Sequence, residues 1–561
     1  RASCDGPGRQ TLLPGLKRAM NRRELLVRGG LGLAGAAVGS IVRPAASPAQ
    51  TPKRGGTLTI RAWDPPHFDP YISISYKTQV LYSFTHSRLL KHRAGPSVVP
   101  GTFPIEGDLA ESWSQPNDTT YAFNLRKGVR WHAKPPVNGR ELTAEDVVYS
   151  VERFRTVPGN ANASMLASVD KVEALDRYTV RFTLKEPFAW LLDMLSNPMA
   201  LAIIARECVE KFGDLKKAEA VVGTGPWILA RYDQNVGSKL ERNPAYFLPG
   251  LPHIEHVNLT VDEDNGSRMS AFLAGRYDLG WEFPGIINRV DWVQIKDNVM
   301  KRRPVQTAEF PENVMSRIYM RTDKAPFSDV RVRRAMSLAV NRQRIIDAVF
   351  EGVGVFNGSV PAALKDWSLP VSQLGEAARY FRYDPVEARR LLAEAGHPGG
   401  FPATVDFTTY GSTVLVDAAQ LILKDLKDVG IDAKLNQKEY GAYVSTTVYG
   451  KYDSMAYGPL TPYLDPDNFL FGPHFPGHVR NVSHSNDPVA ADMLIRQRRT
   501  LNAAKRRELV HDIQRYLAGQ QYYIQMPSSV YVAVWDGALK NYGPNLGYDY
   551  GGRLLQAWLD R

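Results

Sequence analysis

Two neighbouring stretches decide the fold: Tyr121-Ala122-Phe123-Asn124-Leu125-Arg126-Lys127-Gly128-Val129-Arg130-Trp131-His132 and Leu142-Thr143-Ala144-Glu145-Asp146-Val147. Tyr121 to Arg126 has the alternation of a half-buried strand. Thr143-Ala144-Glu145-Asp146 is shaped like a capping box, and Val147, Val148, Val151 and Phe154 then recur on one helical face. A strand followed by a capped amphipathic helix predicts a mixed α/β architecture.

The pattern continues on both sides. Thr57 to Arg61, Tyr178 to Leu184 and His256 to Val261 alternate as strands. Ser328 is placed to cap a helix whose stripe is Val332, Ala335, Met336, Ala339, Val340 and Ile346, ending before Gly352. Asp384-Pro385 supplies an N-cap and first-turn proline, with Gly396 past the end. Gly430 closes a helix from about Val414, after which Ile431 to Leu435 reads as a strand. A long helix from about Asn502 to Leu517 precedes the β-rich Tyr522 to Trp535. No internal repeat or low-complexity linker occurs, and the Pro/Gly/Asn-rich segments 92–107, 155–164 and 457–488 read as loops too long to be connectors.

The chain has 561 residues, 44% hydrophobic and 23% charged, enough for three to five domains at roughly 100–200 residues each. Disorder, collagen-like repeats and coiled coil are excluded by this composition. After position 60 no uncharged apolar run reaches the ~18 residues of a membrane span. The net charge of +11 is concentrated at one end: residues 1–54 hold ten Lys/Arg against Asp5 and Glu24. The remainder is nearly balanced, so nucleic acid is not an expected partner. Cys4 and Cys208 are too few and too far apart for a disulfide framework or a zinc cluster.

The first fifty residues read as an address. Met20-Asn21-Arg22-Arg23-Glu24-Leu25-Leu26-Val27 and the weakly hydrophobic Gly29 to Val42 have the proportions of an export signal, and the paired arginines resemble a twin-arginine type. Residues 1–19 read as an upstream extension, 20–49 as the signal, with cleavage after Ser47-Pro48-Ala49. No cysteine stands at the cut for lipid attachment. Gly30-x-Gly32-x-x-Gly35 matches a dinucleotide fingerprint, but no strand precedes it and it lies within the signal's apolar core.

Catalytic motifs are missing: there is no Gly-x-Ser-x-Gly elbow, His-Glu-x-x-His or Walker loop. His474, His478 and His484 are the best metal candidates, but Pro473 and Pro476 argue against a helix there, and three solvated loop histidines are expected. No metal, cofactor or catalytic residue is assigned. Trp281-Glu282-Phe283-Pro284-Gly285 combines polar and aromatic groups as ligand clefts do.

Gly107-Asp108-Leu109-Ala110-Glu111-Ser112-Trp113, with the two stretches quoted first, resembles the signature block of family 5 solute-binding proteins, the extracytoplasmic receptors of peptide, nickel and opine ABC importers. Gly223-Thr224-Gly225-Pro226, Ala274-Gly275-Arg276-Tyr277-Asp278, Pro326-Phe327-Ser328-Asp329-Val330-Arg331-Val332-Arg333 and Ala388-Arg389-Arg390-Leu391-Leu392-Ala393-Glu394-Ala395-Gly396 follow in the family's order. The resemblance spans about 55–561.

It implies a two-lobed periplasmic-binding-protein clamshell of mixed α/β class: a first lobe over 50–313 with an inserted subdomain at about 91–218, a second over 314–525, and a return over 526–561. Chain crossings between lobes are expected near Asn313 to Met320 and Tyr523 to Tyr531. It implies a soluble periplasmic monomer, not an enzyme, that captures a peptide or similar polar solute and delivers it to permease subunits. The alternatives are an opine, a sugar-like compound or a nickel complex, and more remotely a secreted hydrolase. For the ligand pocket it points to Trp63, Asp64 and His67 after the first strand, to Trp281 and Glu282, and to Tyr457, Tyr463, Asp465 and Asp467 in the second lobe. In peptide receptors an Asp of that last segment pairs with the ligand's α-ammonium; here its place is taken by Pro462, leaving Asp465 or Asp467 as a substitute or as turn residues.

Overall fold

The computed structural model describes residues 51–72, 75–160, 162–280, 289–409 and 413–561. The expected export signal, the glycine-rich stretch within it, and Trp281 and Glu282 lie outside the described residues. Among the described residues, no helix is long and apolar enough to cross a membrane, and Cys208 is a buried free thiol.

Strands form where alternation was read. Thr57–Ala62 lies parallel to His256–Val261, which continues antiparallel through Gly237–Arg242 to Trp227–Asp233. Leu58, Ile60, Val257 and Leu259 fall on its buried face. A second four-stranded sheet orders Ala110–Asn117, Thr120–Leu125, Thr179–Leu184 and Val169–Asp176. Phe123 and Phe182 meet edge-to-face at 5.4 Å in the same core as Val147, Val151 and Phe154 of the helix Ala144–Thr156. Each ring's burial is worth about 1.5–3 kcal/mol. Asp146 accepts from the Thr143 amide at 2.9 Å, as a capping box requires. Gly223 and Gly225 press on the chain at Thr85: a Cβ on Gly223 would stand 2.0 Å from the Thr85 carbonyl oxygen.

A separate core surrounds a five-stranded sheet ordered Ile431–Gln437, Phe401–Phe407, Met455–Pro459, Ser316–Met320 and Tyr523–Gln525. The two lobes are joined by adjacent connections. Val305–Pro311 pairs antiparallel with Ser528–Asp536 on the first-lobe side, while Ser316–Met320 pairs with Tyr523–Gln525 in the five-stranded sheet. The chain therefore crosses at 312–315 and again at 526–527.

Three local expectations are corrected. The helix expected from Ser328 begins one residue later, with the Asp329 side chain accepting from the Arg331 amide at 2.7 Å. It is also two helices, Val330–Ala339 and Arg342–Val349, because Val340 is extended and Asn341 caps the second by accepting from the Arg344 amide at 2.9 Å. The apolar stripe runs across the break and concealed it. Segment 457–488 contains the helix Pro466–His474. Asp465 and Pro466 start it, and it continues past Pro473 at the cost of the hydrogen bond that residue's amide would have made; the Phe475 amide closes the end onto the Phe471 carbonyl at 2.8 Å. His474 is correspondingly not solvated but 2% exposed; His478 is half-buried and His484 exposed.

Candidate functional site

The connections are bonded to each other. The Met526 amide donates to the Ser316 carbonyl at 2.9 Å, Ser528 Oγ to the Val314 carbonyl at 2.8 Å, and the Ser529 amide to Glu312 Oε1 at 3.0 Å. Burial pushes the Glu312 carboxyl up to about 7. Asn313 Nδ2, in the first connection, donates to the Tyr463 carbonyl at 2.9 Å and so ties the crossing to the segment after Met455–Pro459.

Beyond the connections, segments from the two sides meet around Asp467. This carboxylate is 1% exposed; it accepts from Gln497 Nε2 at 2.6 Å and from Arg498 Nε at 3.0 Å and Nη2 at 2.8 Å. Gln497 Oε1 in turn accepts from Trp190 Nε1 at 2.9 Å, and the Arg498 carbonyl from the Ala189 amide at 2.7 Å. Arg499 pairs with Glu186, and Arg480 Nη2 donates to Asn162 Oδ1 at 3.0 Å. Asp465 is buried as N-cap, accepting from the Asn468 amide and Nδ2, both at 2.9 Å. Burial and the neighbouring Asp467 raise its carboxyl to about 6. Burial and the charge of Asp465 raise Asp193 to about 7.

The structure places the other sequence candidates apart from this junction or inside the cores. Trp63 is 6% exposed, packed between the Arg61 guanidinium at 4.1 Å and the Tyr76 ring at 5.2 Å. Asp64 accepts from Tyr232 Oη at 2.6 Å and the Asn235 amide at 3.1 Å. His67 Nδ1 accepts from the Asp69 amide at 3.2 Å, and burial lowers the ring's pKa. Tyr457 is buried against Phe407. Tyr463 is buried against Phe469, with the Arg480 guanidinium 5.1 Å from its ring. Among the described residues no group of His, Cys, Asp and Glu is arranged to hold a metal ion.

Sequence reasoning passed over Arg317, Gln497 and Arg498. Gln497 and Arg498 act through Asp467, thirty residues earlier, and carry no local signal. Arg317 did carry one: it is a charged residue within Ser316-Arg317-Ile318-Tyr319-Met320, a strand expected to cross between lobes.

A family model described as bacterial extracellular solute-binding proteins, family 5 Middle, matches residues 104–479. Di/tripeptide-binding protein 1 of Pseudomonas aeruginosa is 30% identical over 456 residues, covering 76% of this chain and 80% of that protein. The Helicobacter pylori periplasmic binding protein DppA, solved with the peptide STSA, superposes with a TM-score of 0.74 at 25% identity, over 91% of this chain and 99% of that one. AgaA of A. tumefacien R10, solved with agropinic acid, superposes with a TM-score of 0.74 at 23% identity over 90% and 99% of the two chains.

Proposed function

We propose, from the premise that this chain belongs to the family 5 bacterial extracellular solute-binding proteins, that it is a periplasmic receptor for peptides or similar polar solutes and hands them to an ABC permease. Its action is binding and release, without chemical turnover. The lobes are assigned as 50–313, with an inserted subdomain at about 91–218, and 314–525, with 526–561 returning to the first. The N-terminal segment serves export.

The observation that carries this reading is the paired crossing at 312–315 and 526–527, with side chains meeting beyond it around Asp467. A ligand touching both walls biases such a hinge toward closure. Calorimetric titration with mixed di- to pentapeptides should show binding. Solution scattering should show a modest fall in radius of gyration with unchanged circular dichroism. Saturating ligand at a hundredfold excess over Kd should add about 2.7 kcal/mol of stability. A large gain in secondary structure, or chemical conversion of the peptides, would sink the reading.

A second reading, a solute without a free amino group such as an opine, is favoured by the carboxylates of the second lobe. Pro462 offers no charge, Asp467 is already held by Gln497 and Arg498, and Asp465 caps a helix. N-acetylated peptides separate the two: loss of binding on acetylation supports an anchored ammonium, and retention supports the opine-like class.

A further inference from the structure

Arg317 is 1% exposed, and no carboxylate approaches it within ion-pair distance among the described residues. Its strand pairs it with Gly458 on one side and Gln525 on the other. Residues opposite one another in a sheet share a face, so Arg317 and Gln525 project together, two residues from the level of Tyr319 and Tyr523. The guanidinium carbon lies 3.8 Å from the centre of the Tyr523 ring and 5.0 Å from that of Tyr319. The Tyr319 hydroxyl is its polar neighbour. Among the described residues, Arg317 Nε and Nη1 have no hydrogen-bond partner, nor has Gln525 Oε1. His474, 5.1 Å from the same Tyr523 ring, has neither ring nitrogen bonded.

Buried polar groups are almost always hydrogen-bonded, and a buried cation without an anion is costly. The contrast with Arg342 is direct: 2% exposed, it donates to the carbonyls of Gln525, Ser337 and Phe381. Arg317 has been given aromatic walls and no anion. It stands one residue into the second-lobe strand that leaves the hinge, level with the end of Met455–Pro459, where segment 460–465 begins. A guanidinium matches a carboxylate through paired N–H donors, Gln525 can turn its amide to donate, and His474 can donate from either nitrogen.

We propose that Arg317, with Gln525 and His474 beside it, is the receptor for a carboxylate carried by the ligand. This rests on the reading of the chain as a solute receptor and narrows it: the ligand is recognised by its anionic end, whether peptide C-terminus or opine acid, and enters the second lobe carboxylate first.

The test compares the wild type with Arg317→Met, which keeps the stem against the two rings and removes the charge. Without ligand, the Met variant should melt at or above the wild-type temperature, since it loses an unpaired buried cation; a fall of more than about 2 °C would mark Arg317 as a structural stacking residue and overturn the proposal. In calorimetry, the wild type should bind a pool of free-acid dipeptides at least about 30-fold more tightly than the matched C-terminal amides, and the Met variant should bind both alike. Equal binding of acids and amides by the wild type overturns the carboxylate site and leaves the receptor reading standing. Failure of both pools defeats the peptide reading, and the melting comparison then decides for or against the anion site.

Discussion

Each lobe draws an arginine largely out of water, Arg153 in the first and Arg317 in the second, and the two are treated in opposite ways. In the first lobe, Arg153 holds Asp69, whose side chain has no exposure, through Nη2 at 2.5 Å and Nη1 at 3.2 Å. Asp69 also accepts from the amides of Tyr71 at 3.1 Å and Leu215 at 3.3 Å. Burial pulls this carboxyl up, yet Arg153 and the two amides keep it below its ordinary value. In the second lobe, Arg317 has two tyrosine rings and, among the described residues, no carboxylate. A buried pair with every lone pair used is architecture. A buried charge with donors unfilled is costly as it stands, which is why we assign Arg317 to an anion brought by the ligand.

Breaking the satisfied pair should have the largest effect. Asp69→Asn leaves Arg153, whose side chain is only 9% exposed, without its anion and should lower stability by about 3–5 kcal/mol, read by urea denaturation, whereas Arg317→Met should cost nothing. If the two variants lose the same stability, the distinction between the arginines fails.

Asp465 sharpens the comparison from the acid side. Its carboxyl is raised to about 6, so the folded state holds a proton that the unfolded state releases near pH 4. Stability from this group is greatest below pH 4 and falls as pH rises toward 6, by roughly 3 kcal/mol at most. Asp465→Asn keeps the helix cap, since Asn and Asp cap equally well, and should flatten that slope; an unchanged slope would show that Asp465 is not its source. Asp467→Asn should have the smallest effect of the three aspartate changes, about 2 kcal/mol, because its partner Arg498 keeps partial access to water. The same change should weaken the contact with Trp190 and leave the scattering radius nearer the open value in the presence of ligand.

What the sequence disclosed follows the range of the forces involved. The Thr143 and Asp384 caps and the turn glycines Gly396 and Gly430 act within four residues, and each was legible. The break at Val340-Asn341 was hidden because the apolar stripe is the same for one helix or two packed in line. Pro473 argued against a helix, but one lost amide bond is offset by the Asp465 cap, the Pro466 start and the burial of Phe469 and Leu470 in the same nine residues. The surroundings of Asp465 and Asp467 could not be read locally, because the partners of Asp467, Gln497 and Arg498, come from about thirty residues away. Nor can alternation along Ser316–Met320 tell a paired arginine from an unpaired one, since the missing anion is a property of everything around the strand.

The two connections at 312–315 and 526–527 run side by side and are bonded to each other. Such a double strap bends about an axis lying across it and resists twisting about its own length. On the hinge reading proposed above, opening reduces to a single angle, and solutes of different shape would change how often the molecule is shut while leaving the shut geometry alike. On that reading, a permease resting on both lobes would have one quantity to measure, whatever lies between them.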